Sequence, residues 1–167
     1  MHASEQSEGR LASLVLGLEA GRQPEALFAA VDAAIEHDAG RLFCTYLLLH
    51  ANGDGERVYT TVPQQYPNGG RKPLQGTDWG NHVLKQGRIF LSRTQDELRS
   101  TYATWTMVEE LGCTALANVP VIHGGEVLGT INLGHRVGHY TDEALERLKP
   151  YAALLGPAFA LIRARQH

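Results

Sequence analysis

Apolar residues recur at helical spacing in two segments near the start of the chain. In the segment from Arg10 to Ala20, one helical stripe would carry four of them, Leu11, Leu14, Val15 and Leu18. The next segment has the same period, opens with Pro24 and Glu25 as helix starts often do, and stops at Gly40. The sequence therefore predicts two successive helices.

Strand patterns follow these helices. The stretch "RLFCTYLLLH" (41–50) is almost continuously apolar, and "RVYTTV" (57–62) comes after it across "ANGDGE", which holds the turn-forming pairs Asn-Gly and Asp-Gly. These two stretches predict a β-hairpin. The next segment, Pro63 to Gly76, is rich in Pro, Gly and Gln and predicts a long surface loop rather than a regular element.

Helical and extended segments alternate in the middle of the chain. Thr77 is suited to cap a short helix, "DWGNHVLKQ", with Asp78 in its first turn. The stretch "RIFLS" (88–92) predicts a brief strand, and "DELRSTYATWTMVEELG" (96–112) predicts one or two helical segments. Along the chain, these elements lie between the first predicted hairpin and a second one.

A second hairpin and a long helix complete the pattern. The stretch "ANVPVIHGGEVLGTINLG" (117–134) holds two apolar runs joined by Gly124 and Gly125. Thr141 should cap a final helix that runs nearly to the chain end and bends at Pro150 and Pro157. The order of elements indicates an α+β fold: an antiparallel sheet with the terminal helices on one face and the mid-chain segments over the other.

The second hairpin places polar side chains among aliphatic ones. A Gly-Gly turn that pairs His123 with Glu126 would put Thr130 beside Val119, and Asn132 beside Ala117, on the face away from the terminal helices. A buried amide without a partner costs about 1–3 kcal/mol, so Asn132 needs a neighbour or a ligand.

The same register leaves a conflict on the opposite face. It puts Asn118 on the helix side together with Gly129, a residue small enough to let a helix approach closely. A bulge at Pro120, which cannot donate to the ladder, would reverse the facing of Asn118.

Composition and charge narrow the class of protein. The 167 residues are 43% hydrophobic and 20% charged, which fits one globular domain. A net charge of −3 and the absence of a basic cluster argue against nucleic acid and membrane surfaces as partners. With no secretory signal or membrane-length apolar run, we expect a cytoplasmic protein. Cys44 and Cys113 lack the spacing of a zinc knuckle or a disulfide framework.

The stretch from Gly112 to Ala160 resembles the C-terminal half of a GAF domain. The resemblance rests on a strand ending in Val-Pro, a tight turn, the "VLGTINL" strand and an aromatic-Thr-Asp-Glu helix start, in that order. It implies a PAS-like sheet with a ligand pocket roofed by mid-chain helices, and it assigns Thr130 and Asn132 to the pocket wall. Residues 22–167 would form this domain, and residues 1–21 a helix used for dimerisation.

Aromatic residues of the mid-chain segments are candidates for the roof of the pocket. On a regular helix Trp79 and His82 would share a face, and with Tyr102 and Trp105 they could form an aromatic cage; alternatively they only fill a core. The ligand-binding residues we predict are Tyr59, Trp79, His82, Tyr102, Trp105, Ala117, Val119, Thr130 and Asn132.

Specific chemistries of GAF relatives are not matched. The cyclic-nucleotide signature lacks its Lys, a bilin would need a cysteine in the lid, and a free methionine sulfoxide reductase would need several pocket cysteines to resolve a sulfenic acid. His135 and His139 lie in a loop, where a spacing of four has no helical meaning. We therefore predict no metal, nominate no cofactor and expect no enzyme.

The sequence leaves two main functional hypotheses. In the first, the protein is a freestanding sensory module that binds a small planar or amphipathic ligand and reports to a signalling partner. In the second, it is a dimerisation or scaffold unit without a ligand, and an enzyme is a more distant third. We expect a homodimer joined by the terminal helices, in which the stripe from Arg10 to Ala20 meets Leu155, Phe159 and Ile162.

Overall fold

A computed structural model describes residues 2–166 and divides the chain into two compact units, one ending at Gly40 and one beginning at Arg41. The first unit is a helical hairpin of α1 (His2–Glu19) and α2 (Glu25–Ala39). Both predicted helices are therefore confirmed, and α1 begins earlier than its apolar stripe. The predicted domain boundary after residue 21 falls in the connection between them.

Contacts between side chains and backbone hold this hairpin together. The Gln23 amide donates to the carbonyls of Gly17, Leu18 and Ala20, which satisfies acceptors at the end of α1. Arg10 forms an ion pair with Asp38 at 2.6 Å. A Cβ atom at Gly17 would lie 2.8 Å from the Ala30 Cβ, so the glycine permits close packing of the two helices.

Only part of the apolar stripe of α1 is buried. Leu14 is buried, whereas Leu11, Val15 and Leu18 remain exposed on the same side of the helix. Leu16 is exposed as well, but it lies off this row. The first helix thus keeps an apolar row facing outward.

The second unit is built on a six-stranded antiparallel sheet in the order β3-β2-β1-β6-β5-β4. The strands are β1 (Phe43–Leu49), β2 (Asp54–Thr60), β3 (Arg71–Pro73), β4 (Phe90–Leu91), β5 (Ala115–His123) and β6 (Glu126–His135). Both predicted hairpins are confirmed. The segment from Pro63 to Gly76 was expected to lack regular structure, and this is wrong, because β3 forms there as an edge strand.

The helices of this unit are α3 (Gln95–Thr101), α4 (Trp105–Glu110), α5 (Asp142–Glu146) and α6 (Lys149–Ala164). The final helix was predicted to be continuous, but it is broken between α5 and α6, and Pro150 falls in the first turn of α6, where no intrahelical N–H is needed. Thr141 caps α5 as predicted, its hydroxyl accepting from the Ala144 N–H at 3.1 Å. Pro157 lies inside α6.

The segment "DWGNHVLKQ" departs from the predicted α-helix. Thr77 caps its start by accepting from the Gly80 N–H at 2.9 Å, but Gly80–Lys85 is π-helical. A π-helix closes its hydrogen bonds over five residues, so positions three apart no longer stack on one face.

A β-bulge corrects the predicted register of the second hairpin. The Gly124-Gly125 turn has positive φ at both residues, and His123 lies opposite Glu126 as expected. Ile122 of β5 lies opposite Val127 of β6, but the next pair away from the turn is Val121 with Gly129. Leu128 is therefore an extra residue in β6. The predicted pairing beyond this bulge is wrong. The additional residue shifts the pairing by one position, so the side chains that share a face are different from those predicted.

A second bulge lies between β1 and β2. Tyr46 lies opposite Tyr59, but Leu47 lies opposite Arg57, so Val58 is the extra residue. Without the bulge Arg57 and Tyr59, two positions apart, would share a face; with it they lie on opposite faces.

One face of the sheet carries α6, which contacts β5 and β6. A Cβ atom at Gly129 would lie 2.6 Å from the Phe159 ring, which confirms that this glycine allows close approach of the last helix. Leu155 and Phe159 are fully buried. They were predicted to contribute to a dimer interface, and this is wrong, because their side chains are occupied within the single chain.

Candidate functional site

A cavity of about 240 Å³ lies on the sheet face opposite α6. Alternate residues of three central strands form its floor: Phe43, Thr45, Leu47, Leu116, Asn118 and Asn132. The lid comes from Thr77 and Trp79 before the π-helical segment and from residues 101–104 between α3 and α4. Arg57, Tyr66 and the edge strand around Lys72 close the remaining side. Strand alternation thus defines which side chains a ligand would meet.

A chain of side-chain hydrogen bonds joins the lid to the floor. The Asn118 carbonyl oxygen accepts from the Trp79 indole N–H at 2.8 Å and also from the Tyr102 hydroxyl. The Asn118 amide nitrogen donates to the Asn132 carbonyl oxygen at 2.7 Å. One buried amide therefore links two lid elements to the central strand β6.

Asn132 continues this chain across the sheet. Its carbonyl oxygen also accepts from the Thr130 hydroxyl at 2.8 Å, and its amide nitrogen donates to the Thr45 hydroxyl at 3.1 Å. A primary amide has two N–H donors, and within residues 2–166 the amide nitrogens of Asn118 and Asn132 each use one. The second N–H of half-buried Asn132 remains available to an acceptor in the cavity.

Four aromatic side chains give the cavity an apolar wall. Trp79 and Tyr102 form the lid side, and Phe43 and Tyr66 lie 5.7 Å apart on the other. The Tyr66 hydroxyl donates to the Thr104 hydroxyl at 2.9 Å. Burial raises the pKa of Tyr66 and of Tyr102, so both stay neutral near pH 7 and act as hydrogen-bonding groups rather than as charges.

Two cationic side chains also border the cavity. The Arg57 guanidinium lies 4.5 Å from the centre of the Tyr66 ring, and one of its terminal nitrogens donates to the Pro67 carbonyl at 3.0 Å. Lys72 reaches the cavity from β3. Desolvation, and next the positive charge of Arg57, lower the pKa of the Lys72 ammonium.

Three of the predicted site residues line this cavity: Trp79, Tyr102 and Asn132. Thr130 lies beside them, fully buried and bonded to Asn132, but it does not reach the cavity surface. Tyr59 lies on the other face of the sheet, where it stacks on Tyr46 at 4.6 Å between ring centroids. The prediction that Tyr59 lines the cavity is wrong, because the bulge at Val58 puts Tyr59 and Arg57 on opposite faces of the sheet.

The other predicted site residues lie outside the cavity wall. His82 does not line the cavity, and its ring nitrogen Nε2 lies 2.9 Å from the Ile89 carbonyl oxygen. Trp105 does not line the cavity but packs against an apolar cluster that includes the cavity residues Phe43 and Tyr66, and the Arg99 guanidinium lies over its ring at 5.2 Å from the ring centre. Ala117 and Val119, opposite Leu133 and Ile131, face away from the cavity because of the bulge at Leu128.

Several cavity residues were missed in the sequence. The predicted register put Asn118 on the helix side, and the bulge considered there would have turned it toward the cavity. The bulge exists, but it lies at Leu128 rather than at Pro120. Phe43 and Thr45 alternate with the buried residues Cys44 and Tyr46 in β1, so strand alternation puts them together on one face. Tyr66 stands as the single aromatic residue in the segment from Pro63 to Gly76. Arg57 carried no signal, because its facing depends on a bulge.

The cysteine and histidine candidates do not line the cavity. The thiols of Cys44 and Cys113 are both buried, and burial raises the pKa of Cys113 to about 11. The His135 and His139 rings stack at 3.3 Å between centroids. Among the residues that the structure describes, no cluster of three or more His, Cys, Asp or Glu side chains could hold a metal ion.

Comparison with known families gives one match that spans most of the chain. The family model described as GAF domain matches residues 23–160. No curated protein matches the sequence significantly. Among the described helices, none combines the length and apolar character needed to cross a membrane.

Solved structures share the fold at low sequence identity. The GAF domain of an Acinetobacter phosphoenolpyruvate-protein phosphotransferase has 13% identity and a TM-score of 0.73, covering 95% of both chains. The GAF domain of a sensor histidine kinase from Bacillus halodurans has 13% identity and a TM-score of 0.66, covering 87% of this chain and 99% of that one. A methyl-accepting chemotaxis protein fragment has 14% identity and a TM-score of 0.64, covering 91% and 97%.

Replacement of Asn118 by leucine should destabilise the protein. The Trp79 N–H and the Tyr102 hydroxyl would lose their shared acceptor, and we expect the free energy of unfolding to fall by about 1–3 kcal/mol in urea denaturation. The exposed loop residue Asn68, changed to leucine, should alter it by less than about 0.5 kcal/mol. Equal stability of the two variants would contradict the anchoring role of Asn118.

Proposed function

The chain belongs to the GAF domain family, and we propose that it is a sensory module that binds a small ligand in the cavity and reports binding to a partner protein. The observation that carries this proposal is the buried amide chain at the cavity floor, in which Asn132 keeps an unused N–H donor beside an aromatic wall. Pockets for small molecules commonly combine an apolar lining with a few such fixed polar groups.

The contacts of the lid support a route from a bound ligand to the partner protein. Trp79 and Tyr102 come from two separate lid elements, and both bond to Asn118, which in turn bonds to Asn132. A ligand that contacts Asn132 and the two aromatic rings would interact differently with a closed and an open lid. Such differential interaction is what allows a ligand to shift a conformational equilibrium.

The structural relatives favour a sensory role in a coarse sense. The solved structures with the same fold include the GAF domain of a sensor histidine kinase and a fragment of a methyl-accepting chemotaxis protein. At 13–14% identity they support the fold and leave the ligand open.

A scaffold role without a ligand is the second candidate. The exposed row of Leu11, Val15 and Leu18 on α1 favours it, because an apolar row of this kind is suited to packing against another helix. The two roles are compatible, and we propose that the protein is a homodimer in which these rows of α1 take part.

Ligand binding is tested by native mass spectrometry of the purified protein. We expect a co-purified small molecule that is lost or reduced about tenfold in Trp79→Ala and Asn132→Leu, since these remove a lid contact and a floor donor. Tyr59→Ala is the matched control, because this aromatic residue lies on the face of the sheet away from the cavity. Circular dichroism should stay near wild type in the two cavity variants; parallel loss of folding and binding would favour a structural core instead.

We further propose that neither cysteine is catalytic. Because burial raises the Cys113 pKa to about 11, its thiolate is scarce near neutral pH, and Cys44 is fully buried. Iodoacetamide at pH 7.5 should label the native protein far more slowly than the protein unfolded in urea, as followed by intact mass. Thiol-dependent reduction of free methionine sulfoxide that disappears in Cys113→Ser would overturn this assignment.

The dimer is tested by light scattering. We expect a mass of twice the 18.3 kDa of one chain, falling to that of a monomer when Leu11 and Leu18 are both changed to glutamate, since charge would be buried at the interface. Leu16→Glu, equally exposed on the same helix but off the row, should leave the dimer intact. A monomeric wild-type protein would refute the interface.

A further inference from the structure

The arrangement of charge around the cavity identifies the class of its ligand. Resting on the proposed function of ligand binding, we propose that the cavity takes a small organic anion, whose carboxylate or phosphate group is held by Arg57 and Lys72. The body of the ligand would then lie against the aromatic wall and the Asn132 amide.

Strand register brings the two cations to the same face. Lys72 of β3 lies opposite Gly55 of β2, and opposed residues of an antiparallel pair share a face. Gly55 and Arg57 are two positions apart on β2, so Lys72 and Arg57 extend over the same side of the sheet. Both line the cavity, and the side chains of Leu47 and Leu74 lie over Gly55 on the same face.

The cavity wall contributes no compensating negative charge. Among the described residues that line it there is no aspartate or glutamate. The adjacent carboxylate, Glu56, faces the other side of the sheet, where its oxygen lies 2.6 Å from the His50 ring nitrogen and 3.1 Å from Arg71. The alternation of β2 and β3 therefore segregates the acidic group from the two cavity cations.

The guanidinium of Arg57 has a donor that the protein does not use. Its Nε is buried and has no hydrogen-bond acceptor among the described residues, while one terminal nitrogen is held by the Pro67 carbonyl. A buried donor of a charged group left without an acceptor is costly, and native proteins seldom leave one unmatched. An anion in the cavity would supply the negative charge that this part of the wall lacks.

The chemistry of the two cations fits an oxyanion. A guanidinium offers planar paired donors to a carboxylate or a phosphate, and an ammonium adds a point charge without geometric demand. Lys72 lies on the exposed edge strand, so a ligand could enter the cavity from that side. The neutral Trp79, Tyr102 and Asn132 groups suit an uncharged remainder.

The experiment compares three aromatic probes of similar size: benzoate, phenyl phosphate and uncharged benzamide. Their dissociation constants are measured by ligand-observed NMR and calorimetry on the full chain. We expect at least one anion to bind about tenfold or more tightly than benzamide, since hydrogen bonds to charged groups are worth about 1.5–3 kcal/mol. The comparison of benzoate with phenyl phosphate shows whether the cavity prefers a carboxylate or a phosphate group.

Variants assign the effect to the two cations. Lys72→Gln and Arg57→Gln should each weaken binding of the preferred anion about tenfold and leave benzamide unchanged. Arg71→Gln is the matched control, because it removes the same charge from the neighbouring position of β3 but faces Glu56. Since Lys72 lies at the sheet edge, its variant stays informative if Arg57→Gln fails to fold.

Three results of the probe-binding experiment would overturn the inference. These are benzamide binding as tightly as the anions, anion binding that survives both substitutions, and no binding of any anion. A neutral molecule found with the purified protein would also overturn it, while leaving the proposed function intact. The proposed function itself fails only if no ligand depends on Trp79 and Asn132.

Discussion

The side-chain amide of Asn118 is the interaction on which the arrangement of the cavity depends. Its carbonyl oxygen accepts from Trp79 and Tyr102, and its nitrogen donates to Asn132, so one group fixes two lid elements on the central strands. Because Asn118 is almost fully buried, each of these bonds is made away from water, where an unmatched partner would be costly. The polar residues among the aliphatic strands thus position the lid.

Two β-bulges decide which side chains can take part in this arrangement. The extra residue Leu128 turns Asn118 toward the cavity and Ala117 away from it, and the extra residue Val58 does the same for Arg57 and Tyr59. The side-chain period of a strand is two, so one added residue exchanges the two faces.

The same alternation organises the electrostatics of the sheet. Glu56 pairs with His50 and Arg71 on one side of the sheet, while Arg57 and Lys72 line the cavity on the other. A net charge of −3 for the whole chain gives no hint of this local excess of positive charge. Local separation of charge by strand register is what gives the cavity its chemical character.

The sequence by itself determined most of the elements, their order along the chain and the family resemblance. Helical and strand periods located α2, both hairpins and the Gly124-Gly125 turn, since these signals are local and each residue contributes its own propensity. It also selected Trp79, Tyr102 and Asn132 correctly as residues that line one cavity. Only the tertiary structure decided that Asn118 and Arg57 join them, that His82 and Trp105 do not, and that Leu155 and Phe159 are buried. Bulges, a π-helical turn and the packing of α6 depend on contacts between distant segments, which no local pattern encodes.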